Sequence, residues 1–496
     1  MKDDNAIVKI ANKFSWMFGE YRDLPDLGYY LGAKWEWIGP LKMHYTNPYT
    51  GHVSYVYSIP RLGSIIDAVK SHRALYTSVL PRLADRLDFL KNLASSMDRY
   101  EEELAIAISL STGKPIREAR HEVSSSIELL ENSYILLEAY GRYWRPIMSR
   151  TLIIGNPSNG ASLIMPSSRS PILTTIFGLV YSISLGSNLL IFKPPSRAPL
   201  PTTLIAGVLI ENGFKNVIVT SPVPGPVIVD ILASGMLISS IFAAGSTSTM
   251  EDVDRKASGL YRLLWSSDLS ASIICDDVDV EKAARAVLES RLAGCGDLCL
   301  NTHVIFTPEE LLSIIEEKLI HLASNENPGD PLSHATTLGP LIEEERESLM
   351  ESLIDDALSH GARLLHGRRL KTALYQPYIL GNIKKSSKML WQRTVVPLLG
   401  VVPVKSCREA ISIAESIPYV KALLLYTEKY HRFLEILRNT KINLVYINTF
   451  EINRINHYEE CINIYTSPLI DSSGVNRVLK NIIIGDEEER EPEAYR

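Results

Sequence analysis

Cysteine is scarce in this chain, with five residues among 496, at positions 275, 295, 299, 407 and 461. An odd, thinly spread set of this kind does not build the dense framework that staples small secreted domains, so an extracellular disulfide scaffold is not expected. Apolar runs are short and interrupted, and the opening MKDDNAIVKIANKFSWMF lacks the apolar stretch and the small-residue cleavage pattern of a secretory leader. These gaps predict a cytoplasmic chain without a membrane partner. Positive charge is not in excess either. The 51 Lys and Arg against 57 Asp and Glu give a formal net charge of −6, which removes the electrostatic reason to expect a nucleic-acid partner. Internal repeats, low-complexity linkers and a G-x-G-x-x-G fingerprint are also missing.

What is present is length and alternation. A chain of 496 residues exceeds the size at which a single core stops growing, so two or more domains are expected. In the front portion helices should dominate. Leu83, Leu87, Leu90, Ala94 and Met97 recur at spacings of three and four after Pro81 and make one apolar stripe. From residue 161 the rhythm changes. ASLIM and NLLIFK read as short buried strands, PLPTTLIAGVLIENG as a helix stopped by Gly213, NVIVTSP as a strand, VIVDILAS as a helix and SSIFAAGS as a strand. That succession predicts an α/β fold with a parallel sheet covered by helices. A second alternation begins with a strand at 271–275. A helix follows, started by Asp276, Asp277 and Asp279, with Ala283, Ala286 and Val287 facing inward. A strand at 303–307, a helix opened by Pro308, a helix over 341–359, strands in VVPLLGVVPV, KALLLY and INLVYIN, and helices near 407–416 and 428–439 complete the pattern.

The segment ESRLAGCGDLCLNT (289–302) places Cys295 and Cys299 four apart, behind an apolar-periodic stretch and ahead of a strand. Read on its own, Cys299 is open to three readings: a nucleophile, a metal ligand or a packed thiol. A single C-x3-C without a second paired cluster is a poor zinc signature, and no metal is expected. His303, four residues on at the start of a strand, reads as a packed histidine rather than a base for the cysteine. Cys295 reads as a bystander.

The order and spacing of several strings along nearly the whole chain resemble the aldehyde dehydrogenase superfamily. They are NPYTGHV, STGKPIREARHEV (111–123), LLIFKPPSRAPLPT (189–202), IFAAGSTST (241–249), IICDDVDVEKAA (273–284), LAGCGDLCLNT (292–302), the stretch 336–367, YQPYIL (375–380) and NLVYIN (443–448). The resemblance implies a Rossmann-type parallel-sheet cofactor domain, an α/β catalytic domain and an oligomerisation arm. Laid on this chain, the nucleotide-binding domain is residues 1–128 and 148–261, the catalytic domain 262–450, and the bridging arm 129–147 and 451–496. It further implies NAD or NADP as cofactor, a small-molecule aldehyde or acyl substrate, and a homodimer or homotetramer.

By the same resemblance Cys299 stands at the nucleophile's position. There a soft sulfur would attack an aldehyde, pass through a thiohemiacetal, release hydride to the cofactor and leave a thioester. Lys193 stands where an ammonium meets the adenosine ribose or a 2'-phosphate. Ser196 replaces the Glu of many NAD-preferring members, which permits NADP because a hydroxyl does not repel phosphate. Gly245, Ser246 and Thr247 match the turn beneath the pyrophosphate.

The departures are as specific. The family's oxyanion Asn falls in PSSRSP (166–171), which contains none, leaving Ser168, Arg169 or a backbone N–H as candidate donors. Loss of such a donor removes roughly 3–4 kcal/mol of transition-state stabilisation. The general-base Glu falls on Trp265 or a neighbour, none of them Glu, which forfeits general-base help of roughly 100- to 10,000-fold in thioester hydrolysis. The cofactor-ribose Glu segment reads RTVVP, with Arg393 in the carboxylate's place. Three readings follow: an NAD(P)-dependent oxidoreductase acting through Cys299, a catalytically silent scaffold or metabolite-binding relative, and a different chemistry built on Arg169, Asp268 and Arg393.

Overall fold

The computed structural model describes residues 3–73, 83–134, 136–137, 144–147, 150–153, 160–220, 222–266, 269–342, 344–429, 436, 440–442, 444–448, 462–463 and 481–484. The chain divides into two units. One comprises Met1–Ser266, Asp330–Thr336 and Ile462–Gly474, and the other Ser267–Gly329, Thr337–Cys461 and Val475–Arg496.

In the first unit, short aliphatic runs form five parallel strands: β1 (Ala161–Met165), β2 (Leu189–Phe192), β3 (Val217–Val219), β4 (Ser240–Gly245) and β5 (Tyr261–Ser266). Nearly every residue in them is buried, as strands covered on both faces require. Their spatial order is β5-β4-β1-β2-β3. The chain runs outward from β1 through β2 and β3, then returns to the other side of β1 for β4 and β5. This is the doubly wound order, and it opens a crevice at the carboxyl ends of β1 and β4, where the direction of winding reverses. Antiparallel pieces edge the sheet, Ile462–Asn463 beside β5 and Tyr29–Tyr30 with Trp35–Glu36 beyond β3.

The helices here are α1 (Ile116–Glu131), α2 (Pro171–Ser184), α3 (Pro199–Glu211), α4 (Gly225–Ser234) and α5 (Thr247–Lys256). Helix α2 is buried at every position, its Thr and Ser hydroxyls donating to backbone carbonyls of the preceding turn. Gly213, at φ +88°, follows α3 as the stop the sequence predicts.

The front portion is less helical than expected. Leu83–Asp98, Glu101–Thr112 and α1 are helices, but Phe18–Tyr21, Leu24–Leu27, Val53–Ile59 and Leu41–Thr46 form a four-stranded sheet. Tyr55 and Tyr57 of that sheet are buried and hold Val53–Ile59 in place.

In the second unit the parallel strands are β6 (Leu269–Ile274), β7 (Thr302–Pro308), β8 (Tyr378–Gly381), β9 (Leu398–Val404), β10 (Val420–Tyr426) and β11 (Leu444–Ile447). They lie in the order β8-β9-β7-β6-β10-β11, with Arg363–His366 antiparallel at one edge and Asn481–Ile484 parallel at the other. Ala271, Ile273, Val304, Phe306, Val402, Leu423 and Val445 form the centre of its core. Helix α6 (Val280–Leu292) starts at Asp279, whose carboxylate accepts from the backbone N–H groups of Glu281 and Lys282, and it buries Ala283, Ala286 and Val287. Helix α7 (Cys407–Ala414) follows β9. Pro308 ends β7 instead of opening a helix. A single 3-10 turn, Glu309–Leu311, intervenes before the helix Leu312–Ser324. The expected helix near 428–439 and most of the arm at 451–496 lie outside the described residues.

Candidate functional site

At the carboxyl edge of the first sheet three loops converge by topology: 166–170 after β1, Lys193–Ala198 after β2 and Gly245–Ser246 after β4. Ser168, Arg169, Lys193, Ser196, Gly245, Ser246 and Thr247 therefore share one edge. The 166–170 loop is held by its own backbone. Ser167 N donates to Thr174 Oγ1 at 3.0 Å, Thr174 Oγ1 donates to Ser170 O at 2.6 Å, and Arg169 N donates to Ser167 Oγ at 3.2 Å.

Helix α2, which begins at the end of this loop, is capped by a residue far away in sequence. Glu122 Oε1 accepts from Ile172 N at 2.9 Å and Leu173 N at 3.3 Å, while its Oε2 accepts from Lys114 Nζ at 2.6 Å. Both side chains of that ion pair are about 95% buried or more, at 5% and 3% exposure. A carboxylate here satisfies two of the orphan N–H groups at the start of α2 and complements the positive end of the helix.

Lys193 is buried, and burial pulls its ammonium down to about 8. Its side-chain hydrogen bond runs to Ser196 Oγ at 3.5 Å, and the Ser196 carbonyl in turn accepts from Tyr45 Oη at 3.0 Å. Ser246 caps α5 by accepting from Thr249 N at 3.4 Å, so the next N–H groups of the helix start beside Gly245 and Thr247.

In the second unit the segment between α6 and β7 is bent sharply: Gly294, Cys295, Gly296 and Leu300 all have positive φ, of +58°, +57°, +85° and +59°. Three cations hold or border it. Arg291, fully buried, donates from Nη2 to Gly296 O and from Nη1 to Thr302 O at 3.0 Å and Thr394 O at 3.3 Å. Arg346 pairs with Asp297, both nearly buried. Half-buried Arg393 lies close enough to repel Arg291. Burial pulls Arg291 below its ordinary value, Asp297 opposes this and Arg393 adds to it, yet the guanidinium remains charged at neutral pH. Asn301 Nδ2 donates to Ala293 O at 2.8 Å and closes the base of the loop. The segment in which Arg393 replaces the expected carboxylate is thus tied to the cysteine loop through the carbonyl of Thr394.

Cys299 is half-buried and disulfide-bonded, so it holds no thiol, whereas Cys295 is a buried thiol outside any disulfide. Cys275 and Cys407 are bonded to each other across a separation of 132 residues, with their Cα atoms 6.3 Å apart. Nothing in the sequence signals this pairing, because spacing along the chain carries no information about a bridge of that span. His303 is fully buried. Burial, followed by the charge of Arg291, lowers its pKa to about 3, which leaves the ring neutral. Tyr419 gives its one proton to Leu390 O at 2.9 Å, so His303 donates to Tyr419 Oη from Nε2 at 3.1 Å and serves packing.

Trp265, at the position counted for the base, is a core residue on β5, edge-on to Phe177 at 5.5 Å and to Phe242 at 6.4 Å. Asp268 lies outside the described residues. Lys114, Glu122, Arg291, Asp297 and Arg346 were not singled out by sequence reasoning. A basic residue in the last turn of α6 was the only local hint among them.

The first unit's edge suits a dinucleotide. Among the described residues its buried ammonium has one long hydrogen bond, to a hydroxyl, and a capped helix start opens beside a small-residue turn, which together match ribose or phosphate oxygens and a pyrophosphate.

Comparison with known proteins agrees with this geometry. A model of the aldehyde dehydrogenase family matches residues 38–460. Lactaldehyde dehydrogenase from Methanocaldococcus jannaschii is 25% identical over 434 residues, which cover 84% of this chain and 91% of that protein. An aldehyde dehydrogenase from Bacillus cereus, solved in complex with NAD+, superposes with a TM-score of 0.77 at 20% identity, covering 86% of this chain and 89% of its own. A glyceraldehyde-3-phosphate dehydrogenase from Methanocaldococcus jannaschii, solved with NADP, gives 0.74 at 24% identity, covering 82% and 90%.

Proposed function

Since the chain belongs to the aldehyde dehydrogenase family, whose members use NAD or NADP, we propose that it oxidises a small polar aldehyde with one of these cofactors through Cys299. The observation that carries this reading is the gathering of Lys193, Ser196, Gly245, Ser246 and Thr247 at the crevice edge of a doubly wound sheet. Lys193 would hold the adenosine ribose or its 2'-phosphate, Ser196 would tolerate that phosphate, and the N–H groups opening α5 would meet the pyrophosphate. When bound, the nicotinamide supplies the hydride acceptor.

The protein's own contribution starts with reduction of the Cys299 disulfide by a thiol, which frees the sulfur. The thiolate then forms a bond to the carbonyl carbon, and the carbonyl electron pair moves to oxygen, where Arg169 or Ser168 is assigned the donor role left by the missing Asn. Arg291, Arg346 and Arg393 hold or border the cysteine loop, and cations so placed favour the thiolate. Water is poorly activated because Trp265 occupies the base's position, so the acyl group should leave slowly or pass to another thiol. Lactaldehyde dehydrogenases and an NADP-dependent succinate-semialdehyde dehydrogenase among the relatives suggest small substrates bearing hydroxyl or carboxylate groups. A homodimer or homotetramer in the cytoplasm belongs to the same reading.

A second reading, a silent scaffold that binds a nucleotide or metabolite, is favoured by the disulfide at Cys299 and the core tryptophan at 265. Titration with NAD and NADP, followed by the labelling rate of Cys299 after thiol reduction with and without cofactor, separates the two. Saturable binding with cofactor-dependent labelling supports the oxidoreductase. Binding without it supports the scaffold, and absence of binding refutes the cofactor site.

A further inference from the structure

A cleft of about 600 Å³ in the second unit is lined by Asp276, Pro308, Glu310, Lys405, Cys407 and Arg408, together with residues of α7. It lies at the carboxyl ends of β6, β7 and β9, whereas the cysteine loop precedes the amino end of β7. Seven extended residues of β7, roughly 20 Å, therefore separate the two edges of the sheet.

The two sulfurs of the Cys275–Cys407 bridge differ in three respects. Cys407 is half-buried and faces the cleft as the first residue of α7, whose start is capped by Ser406 Oγ accepting from Glu409 N at 3.2 Å. Exposed Lys405 and Arg408 flank it. Cys275 follows β6 and is fully buried among Ala271, Ile273, Val304 and Phe306. A helix start and neighbouring cations favour a thiolate at Cys407, and an apolar shell keeps Cys275 a thiol. The remaining cleft charges are acidic. Asp276 and Glu310 are exposed, and Glu415 is turned away to accept from Thr440 Oγ1 and Lys441 N.

We propose that this cleft is a thiol–disulfide exchange site, in which a small thiol bearing both carboxylate and ammonium groups attacks Cys407 and Cys275 acts as the resolving partner. The incoming thiolate forms a bond to Cys407 Sγ, the Cys407–Cys275 bond breaks, and the electron pair leaves on Cys275, which takes a proton. A second thiol then attacks the mixed disulfide, so two thiols are oxidised to one external disulfide as the protein gains two S–H groups. Lys405 suits the thiol's carboxylates, and Glu310 its ammonium. The proposal is independent of the aldehyde chemistry and stands or falls apart from it.

The test uses the full chain with glutathione as probe and peptide mapping by mass spectrometry. Cys275→Ser incubated with oxidised glutathione should carry the adduct on Cys407, and Cys407→Ser should leave Cys275 at least about tenfold less modified. Adduct on Cys275, or equal modification of both variants, overturns the proposal. Should either variant fail to fold, the wild-type protein is titrated with reduced glutathione under native conditions and quenched by alkylation. A mixed disulfide on Cys407 supports the assignment. A bridge that opens only in denaturant, or an adduct on Cys275, refutes it.

Discussion

Glu122→Ala tests how the loop over 166–170 is anchored. The substitution leaves the Lys114 ammonium, at 5% side-chain exposure, without its carboxylate, and removes the acceptor for Ile172 N and Leu173 N at the start of α2. Breaking a buried ion pair by removing one partner is destabilising by about 3–5 kcal/mol, because the surviving charge stays desolvated. The two contributions separate in a double-mutant cycle. Lys114→Met with Glu122→Ala deletes the stranded charge and leaves only the two orphaned N–H groups, so the double variant should recover to a loss of about 1–3 kcal/mol. Glu122→Gln should fall between wild type and Glu122→Ala, since an amide oxygen can still accept from Ile172. Urea denaturation followed by circular dichroism reads all five proteins, Lys114→Met alone included, and NADP titration reports whether the crevice edge moves with α2. A Glu122→Ala loss below about 1 kcal/mol, or a double variant as unstable as the single one, would refute the account of Glu122 as a charged cap.

Three further outcomes are expected. Lys193 titrates at about 8 when folded against 10.5 ordinarily, so the unfolded state binds more protons between those values. Stability should therefore rise as pH goes from about 8 to 10.5, and Lys193→Met should abolish that rise, add up to roughly 3 kcal/mol at pH 7 and weaken NADP binding, all readable by urea denaturation and titration. Ser196→Glu should lower NADP affinity about tenfold or more while sparing NAD, because a carboxylate near the 2'-phosphate repels it; isothermal titration with both cofactors checks this. Gly296→Ala should disturb the cysteine loop, since φ is +85° and a Cβ would collide with the backbone of Val396 and Pro397, neither of which can rotate away. Faster thiol labelling of Cys295, now buried, is the readout, and unchanged labelling would refute the close packing.

Alternation of short aliphatic strands with helices of three to four turns was legible in the sequence because each element buries its own apolar pattern locally. The segment 161–245 follows that reading except for helix α2 (Pro171–Ser184), which lies between its first two strands and was not expected. The sheet over 18–59 was not legible, since LPDL, LKMHYT and VSYVYSI mix polar and aromatic residues whose burial is decided by neighbours remote in the chain. The candidate site divides in the same way. Gly245–Thr247 and Lys193 sit at strand ends, where position in the alternation already marks a crevice. Glu122, Arg346 and the Cys275–Cys407 bridge act over 49 to 132 residues of chain, and nothing in their immediate surroundings announces the partner. Arg291 is an intermediate case, because its place in the last turn of α6 suggests a helix-end cation while its contacts are with carbonyls of the following loop and of Thr394.

Those carbonyls have a consequence of their own. The oxygens of Gly296, Thr302 and Thr394 turn inward around one positive centre, an arrangement that in other settings would invite a potassium or sodium ion. Here the ion is covalently attached to the polypeptide. It cannot be dialysed out, exchanged for a rival of another radius or diluted as the medium changes, so these three carbonyls at the bend that carries Cys299 are held by a charge the chain itself supplies.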